Sequence, residues 1–216
     1  MNTLMKPLQV RETLLEKGVR TFTPHDFEHI FRVSPSRTKY FLETQTDEGL
    51  LIRLKQGIYA LKTDLPSEED IANSIYRPSY ISLEYALAYW GILPEMPYVV
   101  TSVTTKPTRL FSPGVVPFAY YSIKKAAYTG YTLEKPGSSV SEKSNSVNFS
   151  ETSSKSFLIA EPEKALVDYL YFVALGRKPE NDRLFIKKGS LDKKKLKQYA
   201  KLYSRKKLDA LLKDYL

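Results

Sequence analysis

The sequence predicts an α+β protein in two parts, and three observations carry that reading. Two helix starts of the hydroxyl-proline kind, Thr23-Pro24 and Ser34-Pro35, lie close together near the amino terminus. Two β-prone runs around Gln56-Gly57 follow them directly. Beyond residue 67, strand-like runs alternate with amphipathic stretches, the pattern of a mixed α/β domain.

Taken in order, Pro7 to Glu16 reads as a helix with Leu8, Leu14 and Leu15 apolar, stopped at Gly18. The next helix has Thr23 as its N-cap and sets Phe27, Ile30 and Phe31 on one face. Ser34 caps a third, Pro35 to Glu48, with Thr38, Phe41, Leu42 and Gln45 inward and Gly49 as a left-handed stop. So short a turn between the second and third helices is helix-turn-helix spacing. Leu50 to Leu61 then reads as a β-hairpin. Three helices and a hairpin make a winged helix-turn-helix, placed at residues 1–62. The polar, proline-bearing Lys62 to Ser67 stretch marks the boundary to a second domain at 67–216.

In that domain Ser67 caps a helix whose first turn holds Glu68, Glu69 and Asp70, carboxylates favoured at the positive end of a helix dipole. Ser82 is expected to cap another, Leu83 to Trp90, ended by Gly91. Strands are expected at Tyr98–Thr105, Phe118–Lys124, Tyr128–Glu134 and Phe157–Ala160. Residues 135–156 contain nine serines and almost no large apolar group, which predicts a loop that builds no core. A helix from Pro162 buries Ala165, Leu166, Tyr169, Leu170 and Val173 and stops at Gly176. Helices over Leu191–Tyr203 and Arg205–Tyr215 complete the chain.

With 42% hydrophobic and 26% charged residues, the 216-residue chain has the balance of a globular protein and can build two cores. It contains no cysteine, which excludes disulfides, thiolate metal sites and cysteine nucleophiles. The amino terminus lacks an apolar stretch with a cleavage site, and no apolar run approaches the roughly 20 residues of a membrane span. The expectation is a cytoplasmic protein without a membrane partner. The net charge of +9 is unevenly spread: residues 1–62 hold ten Lys and Arg against seven Asp and Glu, whereas residues 176–216 hold fourteen against five. Any DNA contact by the first domain must therefore rest on a few placed residues rather than on bulk charge.

A recognition helix presents its N-terminal residues to the major groove. Here these are Ser36, Arg37, Lys39 and Tyr40, with Arg37 able to pair with guanine and the others suited to phosphates. Arg53 and Lys55 on the wing would reach the adjacent backbone. Thr101 to Arg109, with Lys106 and Arg109, suits either an anion contact or an exposed strand. The run Lys193, Lys194, Lys195, Lys197 and Lys201 forms a basic face that suits nucleic acid or an acidic protein surface. His25 and His29 have the i, i+4 spacing of shared metal ligands, but without a third ligand nearby no metal or other cofactor is expected. Glu161, Glu163, Lys164 and Asp168 gather at a strand-to-helix junction. They read as dipole-favoured carboxylates and an i, i+4 ion pair rather than as a catalytic set, so no catalytic residue and no enzyme activity are expected.

Phe22-Thr23 through Glu48-Gly49-Leu50-Leu51 and Gln56-Gly57-Ile58-Tyr59, then Tyr80-Ile81-Ser82-Leu83-Glu84-Tyr85-Ala86-Leu87, Val100-Thr101-Ser102-Val103-Thr104-Thr105-Lys106, and Ala160-Glu161-Pro162-Glu163-Lys164-Ala165-Leu166-Val167-Asp168 together resemble the AbiEi antitoxin family over nearly the whole chain. The resemblance implies an antitoxin of an abortive-infection, phage-defence system. Its winged helix would repress its own operon at inverted repeats in double-stranded DNA. Its C-terminal domain would counter a nucleotidyltransferase toxin, with or without a stable complex. Residues 135–156 look like an expansion relative to that family. Two other functions remain open at this point: a toxin- or nucleic-acid-modifying enzyme domain using Glu161, Glu163 and Asp168, and a ligand-responsive repressor without a toxin.

Overall fold

The computed structural model describes residues 5–114, 116–135, 156–187 and 189–215. The serine-rich stretch expected as a loop lies almost wholly outside the described residues. Among those described, the protein is mixed α+β, with eight α-helices and two sheets. No helix in them is long and apolar enough to cross a membrane.

The first part is α1 (Pro7–Glu16), β1 (Thr21–Phe22), α2 (Pro24–Phe31), α3 (Pro35–Asp47), β2 (Leu51–Lys55) and β3 (Ile58–Leu61). Thr23 and Asp26 close a reciprocal capping box on α2, and Arg32 ends that helix in the left-handed region at φ 51°. Three residues later Pro35 opens α3, where Thr38, Phe41, Leu42 and Gln45 are the buried residues. Ser34 makes no side-chain cap; its hydroxyl lies 3.3 Å from that of Ser36. In α1 the buried residues are Val10 and Leu14, while Leu8 is exposed. The three strands form an antiparallel sheet in the order β1-β3-β2.

Strand alternation gives the hairpin two apolar faces. Leu51, Tyr59 and Leu61 pack into a core with Val10, Leu14, Phe22, Phe27, Phe41 and Leu42. Leu54 and Ala60 face the other way and join the core of the larger part, which includes Ile71 and Ile75. The hairpin is thus held between two cores rather than projecting freely.

The larger part contains α4 (Glu68–Ile75), β4 (Ser79–Ile81), α5 (Leu83–Tyr89), β5 (Val100–Thr104), β6 (Arg109–Phe111), β7 (Phe118–Ser122), β8 (Tyr131–Glu134), β9 (Phe157–Ala160), α6 (Pro162–Ala174), α7 (Lys193–Lys201) and α8 (Lys206–Leu212). One six-stranded sheet runs β6-β7-β5-β4-β9-β8. Its β5–β7 and β4–β9 pairs are parallel and the others antiparallel. Helix α6 packs against α5, α7 and α8. It was expected to bury one stripe, but flanking helices on several sides also bury Glu163, Lys164, Val167, Asp168, Phe172 and Ala174.

Ser82 does not cap α5. Its hydroxyl donates to Asp168 Oδ2 at 2.8 Å, and the cap comes from β5 instead: Thr101 Oγ1 accepts from the Tyr85 N–H at 3.1 Å and donates to the Ser82 carbonyl at 2.7 Å. Leu83, fully buried, sits between these contacts at φ 61°, a conformation that costs a non-glycine residue of order 1–3 kcal/mol.

Gly130, leading into β8, is required twice over. Its φ is +75°, and a Cβ there would lie 2.7 Å from the Tyr199 ring of α7. Gly130→Ala is therefore expected to cost about 1–2 kcal/mol, from backbone strain and the displaced ring. A shift in denaturation midpoint checks it.

Candidate nucleic-acid interface

Because α3 buries Thr38, Phe41, Leu42 and Gln45 on one side, helical geometry turns the residues between them outward. Ser36, Arg37, Lys39 and Tyr40 are all exposed, Tyr40 to 69%. A large aromatic ring left so open beside two cations and a hydroxyl makes a surface able to meet both sugar-phosphate and base edges.

Arg53 of β2 is exposed, but Lys55 is only partly so. The Lys55 ammonium lies 5.9 Å from the Phe111 ring centroid, and that of Lys106 lies 5.6 Å from the Tyr76 centroid. Tyr76 and Phe111 are themselves in contact, with centroids 5.6 Å apart. One aromatic pair thus brings together a lysine of the hairpin and a lysine of the β5–β6 connection. Burial and then the nearby Lys106 charge push the Lys55 ammonium below its ordinary pKa. Among the described residues neither lysine has a carboxylate partner. Two cations held together without a counter-charge favour an anion between them.

The Thr101–Arg109 segment divides in a way its composition left open. As a strand it is buried, not exposed: Thr101, Ser102, Val103 and Thr104 all lie in the core. Three of its hydroxyls serve the protein: Thr101 caps α5, Thr104 donates to the Pro78 carbonyl at 2.6 Å and accepts from the Lys106 N–H, and Thr108 accepts from the Ser122 N–H. With the Tyr76 hydroxyl donating to the Pro107 carbonyl at 2.9 Å, the turn that carries Lys106 is braced on both sides. Lys106 and Arg109 remain exposed.

On α7 the apolar residues Leu196, Tyr199 and Ala200 are buried, and Lys193, Lys194, Lys197 and Lys201 are exposed. Lys195 stands apart from this basic face. Its ammonium donates to Glu161 Oε2 at 2.7 Å, which raises the lysine pKa and lowers that of the carboxylate. Tyr199 donates to the same oxygen at 3.0 Å, and burial pushes its phenol up to about 12.

The three carboxylates of the strand-to-helix junction each have protein partners. Glu161 holds Lys195 and Tyr199, and Glu163 accepts from the Asp192 N–H at 2.9 Å. Asp168 is wholly buried and accepts from four donors: Lys164, the Tyr203 hydroxyl, Ser82 at 2.8 Å and Tyr80 at 3.1 Å. Burial pushes the Lys164 ammonium below its ordinary pKa while Asp168 pulls it back up. Burial and then the Asp168 charge hold both tyrosines well above theirs, so they stay protonated as donors. A groove of about 420 Å³ lies along α1, lined by Met5, Gln9 and Phe31. A cavity of about 140 Å³ is lined by Tyr169, Glu180, Asp182 and Tyr215. Neither is lined by Glu161, Glu163 or Asp168.

Sequence reasoning paired Lys164 with Asp168 but missed the three hydroxyls. Tyr80 and Ser82 come to one side of Asp168 from β4 and the residue after it, a strand too short to announce itself in the sequence. No known protein-family model matches the chain and no curated protein matches it, so the family resemblance rests on the motifs quoted above.

Proposed function

We propose that this protein is a cytoplasmic antitoxin and transcriptional autorepressor without catalysis of its own. Residues 1–62 act as a winged helix-turn-helix on operator DNA, and residues 67–216 counter a nucleotidyltransferase toxin. The observation that carries the DNA-binding half is the outward turn of α3, with Ser36, Arg37, Lys39 and Tyr40 exposed after a three-residue turn from α2. In that reading α3 enters the major groove and Arg37 meets base edges, while Lys39, Ser36 and Tyr40 hold phosphates. Arg53 on the hairpin reaches the neighbouring backbone.

The Lys55–Lys106 pair extends the same interface into the larger part, since both ammoniums sit over one aromatic pair. Lys193, Lys194, Lys197 and Lys201 form a second basic surface for nucleic acid or a partner. The antitoxin half follows the AbiEi resemblance. The engagement of Glu161, Glu163 and Asp168 with protein partners favours it over an enzymatic reading.

Two experiments test this. The chain should relieve the toxicity of a nucleotidyltransferase encoded beside it when the two are co-expressed, and an unrelieved toxin counts against the antitoxin role. In DNA titrations at several salt concentrations, Lys55→Ala with Lys106→Ala should reduce the salt slope by about one unit per lost phosphate contact. An unchanged slope removes the pair from the interface.

A further inference from the structure

We propose that His25 and His29 on α2 form a two-ligand chelating site for a divalent transition cation of the zinc class. The proposal is independent of the DNA-binding reading. The residues stand one helical turn apart and both are exposed. Their Nε2 atoms converge to 3.2 Å, with the rings edge to face and centroids 4.4 Å apart. Zinc–nitrogen bonds of about 2.0–2.1 Å meeting near the tetrahedral angle place two ligating nitrogens about 3.3 Å apart. The Nε2 separation is that of two corners of one tetrahedral metal, and the rings need to splay by roughly 0.7 Å at their centroids for both lone pairs to meet on it.

The surroundings fit that use. Glu28 Oε2 lies 4.0 Å from His25 Nδ1, so its negative charge favours a cation held by that ring. Asp26, between the two histidines in sequence, is not available as a third ligand. Its Oδ2 accepts from both the N–H and the hydroxyl of Thr23, each at 2.8 Å. Among the described residues no third histidine or carboxylate completes a cluster, so water takes the remaining positions and the site stays open to solvent. The scaffold under the rings is stiff, because the capping box fixes the start of α2 and Phe27 anchors its opposite face in the core. Imidazole pairs of this kind select zinc, nickel or copper over magnesium and calcium, which prefer oxygen ligands.

The test is titration of the full chain with Zn²⁺ alone, followed by calorimetry and by the histidine ring signals in NMR. The expected result is saturation at one ion per chain, with both ring signals shifting together. His25→Ala and His29→Ala should each weaken binding on the order of 10²-fold, because either loss removes the gain of a second ligand already held in place. Both residues are exposed, so circular dichroism of the variants should match the parent. Mg²⁺ should produce no shift. Two neutral imidazoles sharing an N–H···N hydrogen bond would also approach this closely. That arrangement would leave the ring signals unmoved by Zn²⁺, overturning the proposal, as would binding that persists in the double variant His25→Ala/His29→Ala.

Discussion

Asp168→Ala is expected to destabilise the larger part of the molecule by about 3–5 kcal/mol, the range for removing one member of a buried ion pair. The size follows from what the substitution leaves behind. Lys164, wholly buried, loses its anionic partner, and the hydroxyls of Tyr80, Ser82 and Tyr203 lose a shared acceptor. These groups come from β4, the residue before α5, α6 and the turn after α7, so one carboxylate ties four parts of the fold together. Lys164→Met should cost less, since Asp168 keeps three hydroxyl donors. The single tryptophan reports on the event, because Trp90 Nε1 donates to the Ala160 carbonyl beside α6 at 2.8 Å. Denaturant unfolding followed by its fluorescence should show the midpoint falling sharply for Asp168→Ala. A change within about 0.5 kcal/mol, as for a surface site, would contradict the account of this network.

Arg37→Ala is expected to lower specific DNA affinity by about 1–3 kcal/mol while leaving folding within about 0.5 kcal/mol of the parent. Arg37 is exposed on the first turn of α3, flanked by Ser36 and, two residues on, by Lys39. A guanidinium there can give two parallel hydrogen bonds to guanine, a contact that a phosphate-binding lysine does not replace. Lys39→Ala should therefore weaken all sequences about equally, whereas Arg37→Ala should weaken the operator more than other duplexes. Equal losses on operator and random duplex for Arg37→Ala would assign it to the phosphates.

Much of the first part was legible because its signals are local. Thr23-Pro24 and Ser34-Pro35 mark the starts of α2 and α3, and the inward stripe of α3 follows from a 3.6-residue period. The strands β1, β4 and β6 were not foreseen. At two or three residues each they carry no alternation to detect, and they exist only because a partner strand supplies the other half of the pairing.

The site was legible in residue type more than in role. Lys164 and Asp168 read as an i, i+4 pair, but their burial depends on helices that arrive from 35 or more residues away. Lys195 looked like its neighbours until Glu161, 34 residues earlier, met it across the fold. Lys55 resembled a wing lysine, and its pairing with Lys106 depends on Tyr76 and Phe111 coming into contact. Ser82 had the form of a cap, but β5 brought Thr101 to that role and left the serine for Asp168.

The most direct measurement of the central claim compares the affinity of the full chain for its own upstream DNA with that for a scrambled duplex of equal length, at one physiological salt concentration. Binding to the upstream DNA is expected to be tighter by a factor of about 10³ or more. Equal affinity for the two would contradict it.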